Sequence, residues 1–582
     1  MTIFQRCIGK QLARSTVVVS TISTFLSCVS SYSPLTTQLS RGVSFSPSIA
    51  GCYKSYARIP KCCLISTSRQ LTTRKSTTTS HFSSLNSPEE QEMTRDAMKI
   101  IKDAIQAVDP YTAIRSNLVR TDDTLSLKRG GEKFDLAKDY DEIVLVAFGK
   151  ASSAMATSVL EQVYPKDGNG DRMEVPCRGV VICKDGHATP YEKEVLARHK
   201  VETYDASHPV PDDRSSEAAD KLIQMVSSRA SPRTLVLCCI SGGGSALFCR
   251  PAPPLTLEDL QQVNSVLLAS GMGIQEMNVL RKRLEEGKGG RLASSCFPSQ
   301  VVSLILSDVI GDPLDLIASG PTVPDTSTWQ DGWDIVQQYN LQDKLPKTVI
   351  ETLQKGLDGT LEDSPSFNHP TFERVNNILV GNNAVAVGAA SETAKRLGYQ
   401  PVILGTEIEG EAKEIAKIYT AMASYLQKTL SQNSNKKDLS AASAFTVAQS
   451  LPVALIGGGE TTVSLTPNSG KGGRNQELAL SAALELESLD LRNVVLTSVG
   501  TDGGDGPTDA AGAVVDAITI RDTRSKALDA LATHNSYPYL ESLKVPLEEV
   551  DSIPPPLIKT GPSGTNVADI CVTLIRPSPS HY

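Results

Sequence analysis

Short apolar runs, each closed by a turn bearing Gly or Asp, recur along the chain from residue 143 onward. They are Ile143–Phe148, Gly179–Cys183, Leu235–Ile240, Val301–Leu306, Ile378–Val380, Val402–Leu404, Val453–Ile456 and Val494–Val499. Runs that are continuous rather than alternating predict strands buried on both faces. Several lead into stretches of helical periodicity, and strands interleaved with helices predict βαβ units. Upstream, Met98, Ile101, Ala104, Ile105 and Val108 recur at helical spacing. They follow Ser87, Pro88, Glu89 and Glu90: a capping serine, a first-turn proline and two acids that complement a helix dipole. The expected class is α/β with mainly parallel sheets. In such sheets ligands bind beyond the carboxyl ends of the strands, so chemistry is to be sought in the polar residues after each run.

The 582 residues are too many for one ordinary domain. Residues 325–375, dotted with Pro and Asp, read as a connector or cap, and Gln432–Ser440 as an exposed insertion. A boundary near 370 divides the body into 89–370 and 371–577. No stretch approaches the roughly 18–20 unbroken apolar residues of a membrane-spanning helix, so integral membrane association is not expected.

Charge changes the picture at the N-terminus. The first 88 residues contain ten Lys or Arg and no Asp or Glu, whereas the remainder holds 47 basic against 65 acidic residues. So acidic a body is a poor partner for nucleic acid, whose phosphates call for a basic face. The basic leader is rich in Ser, Thr and Arg, the composition of a mitochondrial transit peptide over 1–88; a cytoplasmic chain with an unstructured tail is the alternative. A secretory signal is disfavoured, because Ser20, Thr21, Ser23 and Thr24 interrupt its apolar stretch. The seven cysteines beyond the leader form no CxxC pair, which argues against a zinc site or a disulfide framework.

Several strand ends carry candidate chemistry. In VLVAFGKASSAMA (144–156), Lys150 follows a strand and a turning glycine, where a compact cation beside backbone N–H groups suits an anion. In LCCISGGGSALF (237–248), Gly242, Gly243 and Gly244 lie between Ser241 and Ser245, a turn expected to admit phosphate. Asp308 and Asp312 follow the run at 301–306; two carboxylates there suit Mg²⁺, with turn capping as the plainer reading. Gly457, Gly458 and Gly459 precede Glu460 in a second glycine loop. Arg474, in GKGGRNQELAL (470–480), offers a planar fork for a carboxylate or phosphoryl group. Asp502 follows the run at 494–499, and Thr565, Asn566 and Asp569 lie near the C-terminus. His208, in SHPVPDD, is the histidine most worth watching. No Walker P-loop, dinucleotide fingerprint, nucleophile elbow, or deaminase or metalloprotease signature occurs.

Together these blocks resemble the glycerate kinases whose C-terminal part is the MOFRL domain. The resemblance runs in order through SHPVPDDRSSEAA (207–219), ISGGGSAL (240–247), NVLRKRLEEGKGGRLA (278–293), LSDVIGDPLDLIASGPT (306–322), GGGETTV (457–463), GKGGRNQE (470–477), GTDGGDGPTDAAGA (500–513) and GTNVAD (564–569). It covers nearly all of 90–576. It implies a Rossmann-like N-terminal domain, a MOFRL-containing C-terminal domain and an active site in the cleft between them. It also implies transfer of the γ-phosphate of ATP, with Mg²⁺, to D-glycerate, giving 2-phosphoglycerate in serine or fructose breakdown. On the matching motifs the functional lysine falls at Lys150 and the arginine at Arg474. The acidic and amide site residues fall at Asp308, Glu460, Asp502 and Asn566, and Arg281 is assigned to the substrate. The mechanism it implies has the loops at 241–245 and 457–459 cradle ATP phosphates, while Asp308 and Asp502 share two roles, holding Mg²⁺ and accepting the hydroxyl proton, in an order left open. Three rival readings remain: phosphorylation of the 3-hydroxyl, a hydroxypyruvate reductase, which the absent dinucleotide fingerprint disfavours, and a non-enzymatic binding module. A homo-oligomer is compatible with the sequence.

Overall fold

The computed structural model describes residues 87–165, 175–432, 450, 452–543 and 555–578. The leader up to residue 86 and the insertion from 433 lie outside the described residues. Two helices, Pro88–Ala107 and Pro110–Asn117, precede a small antiparallel meander of β1 (Leu118–Thr121), β2 (Thr124–Leu127) and β3 (Lys133–Asp135).

The first large sheet contains β4 (Glu142–Phe148), β5 (Cys177–Lys184), β6 (Val201–Ala206), β7 (Thr234–Ser241), β8 (Gln300–Leu306) and β9 (Val375–Gly381). Its strands are ordered β6-β5-β4-β7-β8-β9, and every pair is parallel. The central strands are apolar between their ends because helices cover both faces: Val144 and Val146 pack into one core cluster, Ile143, Leu145 and Ala147 into another. Between β7 and β9 the chain builds a helical cap. Its helices Leu257–Ala269, Ile274–Leu284, Trp329–Gln338 and Lys347–Leu357 close over their own core of Leu260, Val263, Leu280, Trp329 and Leu353.

The second sheet contains β10 (Gln400–Glu411), β11 (Val453–Thr462), β12 (Val494–Gly500), β13 (Gly512–Asp516), β14 (Leu557–Ile558) and β15 (Asp569–Ile575), ordered β10-β11-β15-β12-β13-β14. Only β10 and β11 pair in parallel; the other four pairings are antiparallel. The expectation of mainly parallel sheets thus holds for the first sheet and needs amending for the second. There β15 inserts between β11 and β12 running the opposite way.

The boundary was expected near 370. β9 begins at Val375 yet completes the first sheet. The helix Pro88–Ala107, expected with the first domain, packs on helix Asn383–Arg396 and on β12 and β15. Ser87 caps it as the sequence predicts, with Glu90 N–H donating to Ser87 Oγ, and the Glu90 side chain completes a capping box. The buried Glu90 carboxylate also receives Arg492 Nε and Nη2 at 2.9 and 2.8 Å, tying the first described helix to the second sheet.

Candidate active site

The order of the first sheet reverses between β4 and β7, and it is at such a switch point that a parallel sheet opens a crevice for ligand. The two loops that follow these strands interlock. Lys150 N–H donates to Gly242 O at 2.9 Å, and Ala151 N–H to Ser241 Oγ at 3.0 Å. Gly149 has φ 124°, and a Cβ there would lie 2.2 Å from Ser241 Oγ. Ser241 is therefore a buried brace between the loops, not the phosphate donor expected of it. The glycines beside it make room for charged side chains. A Cβ on Gly242 would lie 2.0 Å from Asp308 Oδ2; one on Gly243 would lie 2.9 Å from the His208 ring and 3.3 Å from Lys150 Cγ. Lys150, His208 and Asp308 thus surround one glycine turn.

The second group lies at one end of the other sheet. Glu460 lies near the end of β11, Asp502 follows β12, and Asp569 opens β15 between them, pairing with Gly459 on one side and Gly500 on the other. A Cβ on Gly500 would lie 3.3 Å from Asp502 Oδ1 and 3.6 Å from Asp569 Oδ1. Arg474 begins the helix Arg474–Ser488 and reaches into this group. Its Nε and Nη2 donate to the two Asp569 oxygens at 2.6 and 2.9 Å, and its Nη1 stands 2.9 Å from Glu460 Oε1. The helix start is fixed in turn by buried Asp505, which accepts from the N–H groups of Asn475 and Gln476 at 3.0 and 2.9 Å. Asn566 Nδ2 donates to Asp308 Oδ2 at 3.4 Å, joining the two groups.

Gly457, Gly458 and Gly459 do not form the phosphate loop that was expected. They are buried within β11 between two strands, and their place is set by packing. A Cβ on Gly457 would meet Tyr419 Oη at 2.0 Å, and one on Gly458 would meet Asn383 Oδ1 at 1.7 Å. Asp312 accepts from Asn382 Nδ2 at 2.6 Å, a bond that fixes the turn after β8 to the start of helix Asn383–Arg396.

Two cavities open on this region. One of about 450 Å³ is lined by Gly242, Gly243, Ser245, Arg281 and Asp308. The other, of about 540 Å³, is lined by Glu460, Arg474, Glu477 and Gly472. Arg281, assigned to the substrate alongside Glu460 and Asn566, lines the glycine-turn cavity. His208 lines the same cavity; burial, and then Lys150, push its imidazole down to about 4.

Residues 96–354 match a domain of unknown function, DUF4147, and residues 453–569 match the MOFRL family. A glycerate 2-kinase of Pyrococcus horikoshii is 34% identical over 481 residues, covering 82% of this chain and 96% of its own length. A D-glycerate 2-kinase of Thermotoga maritima is 35% identical, with 82% and 97% covered. The chain belongs to the MOFRL-domain glycerate kinase family. A Homo sapiens glycerate kinase is 34% identical, with 83% and 94% covered. Crystal structures agree: a Pyrococcus horikoshii protein superposes with a TM-score of 0.67 at 32% identity, over 84% of this chain and 99% of that one. Thermotoga maritima glycerate kinase gives 0.66 at 33%, over 83% and 100%.

Glycerate kinase chemistry implies a magnesium ion, and the electrostatics test whether these residues suit one. Four carboxylates, Asp308, Glu460, Asp502 and Asp569, face two cations, Lys150 and Arg474. Burial raises the Asp308 carboxyl above its ordinary range; Lys150 opposes this and Asp502 adds to it. Burial raises Glu460 as well, against Arg474 and with Asp569, Asp308 and Asp502. Arg474 stays charged despite its own burial because Asp569 and Glu460 hold it. The excess of negative charge and the hard oxygen donors fit a divalent cation. Among the described residues no group of three or more His, Cys, Asp or Glu side chains is arranged as a metal site. Mg²⁺ takes one or two carboxylates and completes its shell with phosphate oxygens and water.

Proposed function

We propose that this kinase transfers the γ-phosphoryl group of ATP to the 2-hydroxyl of D-glycerate, in a site between the two sheets. The observation that carries the reading is the meeting of Lys150, from the switch point of the first sheet, and Asp308, after β8, with Asn566 and the Arg474 cluster of the second. Phosphoryl transfer asks a protein chiefly for positioning and for neutralisation of charge. Lys150 steadies the phosphoryl oxygens as charge moves from the attacking hydroxyl to the leaving diphosphate. Arg474, held rigid by Asp569 and Glu460, presents the part of its fork that remains free to the glycerate carboxylate. The backbone at Gly242–Gly243 and Ser245 lies along the donor's phosphates. Asp308 and Asp502 would hold Mg²⁺, which would supply electrostatic neutralisation of phosphate charge; one of the two carboxylates takes the hydroxyl proton. Glu460 and Asn566 fix the positions of Arg474 and Asp308 respectively.

A coupled assay that reads ADP tests this. Turnover should depend on D-glycerate, ATP and Mg²⁺ together, with no NAD(P)H oxidation on hydroxypyruvate. Lys150→Ala and Arg474→Ala should each lower kcat/KM by about 10²–10³-fold. Near-normal turnover in both variants would remove the scheme.

We further propose a mitochondrial location, on the acid-free basic composition of residues 1–88. A fluorescent reporter carrying those residues should enter mitochondria; diffuse cytosolic signal would contradict the address.

A further inference from the structure

The glycine-turn cavity has a second wall that the phosphoryl chemistry leaves unused. Three large apolar side chains from three separate elements turn into it while open to solvent: Val210 at 56% exposure, Leu268 at 67% and Ile274 at 48%. Val210 lies in the segment after β6, Leu268 ends one cap helix and Ile274 begins the next. Open apolar groups gathered on one concave wall mark a ligand surface more readily than scattered ones do.

The helix Leu257–Ala269 shows how the wall is built. Leu260, Val263 and Leu267 go into the core of the cap, while Gln261, Asn264, Ser265 and Leu268, spaced i, i+3, i+4 and i+7, all line the cavity. The two amides on that face are oriented. Gln261 Nε2 donates to Pro211 O at 2.8 Å, leaving Oε1 as an acceptor. Asn264 Oδ1 accepts from Arg281 Nε at 3.0 Å, leaving Nδ2 as a donor. A free donor and a free acceptor on one face match the edge of an aminopurine, which carries a ring-nitrogen acceptor beside an exocyclic amine. Arg281 supplies the charge. Its bonds go to the neutral amides of Asn264 and Asn278, and it has no carboxylate partner within ion-pair distance among the described residues. Glu285, whose field reaches it, is bonded to Lys288.

We infer that the base of the phosphoryl donor lies on the Val210–Leu268–Ile274 wall with its edge on Gln261 and Asn264. Its phosphates then pass Arg281 and Ser245 toward Gly242, Gly243 and Lys150. A three-carbon hydroxy acid is too small and too polar to need a wall of this kind in a cavity of about 450 Å³; an aromatic base joined to a polyanion needs both its parts. The inference rests on the kinase reading for the direction of the phosphates, and deepens it by assigning the cap helices to nucleotide recognition.

The test uses the full chain with Leu268→Ser and Ile274→Ser, whose side chains are exposed enough that their loss should leave Tm unchanged. The affinity for ADP, by titration calorimetry, should fall about tenfold in each, while that for inorganic tripolyphosphate, which lacks a base, stays as in the wild type. In turnover, KM for ATP should rise by the same factor, with KM for D-glycerate and kcat within about twofold. Unchanged ADP affinity in both variants, or a parallel loss of tripolyphosphate binding, would overturn the placement. Wild-type chain that binds ADP but shows no glycerate-dependent turnover would refute the kinase reading and leave the base wall standing. Wild-type turnover with variants that bind ADP normally would do the reverse.

Discussion

Arg474 spends three of its donors on carboxylates: two on Asp569 and one on Glu460. Two parallel bonds to one acid fix the plane of the guanidinium, not merely its position. Asp569 is thus a positioning residue. Asp569→Asn keeps the shape and removes the charge-assisted fork, so kcat should fall about 10–100-fold with KM for ATP little changed. Steady-state kinetics check this; Asp569→Glu, which restores the charge, should recover part of the loss. His208 gives a prediction in pH. Its folded-state pKa is pushed down to about 4 from an ordinary 6.5, first by burial and then by Lys150, Lys184 and His187. Between those values the unfolded chain binds more protons than the folded one, so the contribution of His208 is present above pH 6.5 and is lost as pH falls toward 4. Tm should decline across that window, and His208→Gln should flatten part of the decline.

The two triple-glycine elements read alike in the sequence and differ in the fold. Each follows an apolar run and precedes a functional group, so both invited a phosphate-loop reading. Gly242–Gly244 do turn the chain beside the cavity, with Gly243 at φ 82°. Gly457–Gly459 continue β11, where Tyr419, Asn383 and Ile408 approach too closely for a side chain. What separates the two is the identity of non-local neighbours, which no local pattern carries. The same holds for β15: the run after Asp569 is apolar enough for a strand, but its insertion antiparallel between β11 and β12 depends on partners more than 60 residues away. The parallel strands were legible because burial on both faces leaves continuous apolar runs; β6, whose middle residues are only partly buried, left no such run. These differences predict distinct phenotypes. Gly242→Ala should abolish most turnover with little change in Tm, because its methyl displaces the Asp308 carboxylate. Gly458→Ala should lower Tm markedly, because β11 must shift to clear Asn383, itself bonded to Val567 O and Asp569 O. Parallel Tm and kcat/KM measurements distinguish the two.

At the scale of the whole molecule, the first described helix and the last strand share one body. Helix Pro88–Ala107 covers β12 and β15, while Arg492 and Arg576 clamp it through Glu90, Glu92 and Asp96. The sequence order of motifs therefore conceals the spatial grouping: Lys150 and Asp308 come from one sheet, Glu460, Arg474, Asp502 and Asn566 from around the other. Their residue types were legible from strand ends and from the family blocks. The supporting roles of Ser241, Asp505 and Asp569 were not, because a brace, a helix cap and an arginine partner are defined by what they touch. The central claim is that this assembly phosphorylates D-glycerate at its 2-hydroxyl. Phosphorus NMR of the products formed from ATP and D-glycerate tests it most directly. The account predicts the resonance of 2-phosphoglycerate growing in step with ADP; 3-phosphoglycerate in its place, or ADP formed with no phosphorylated glycerate, would contradict it.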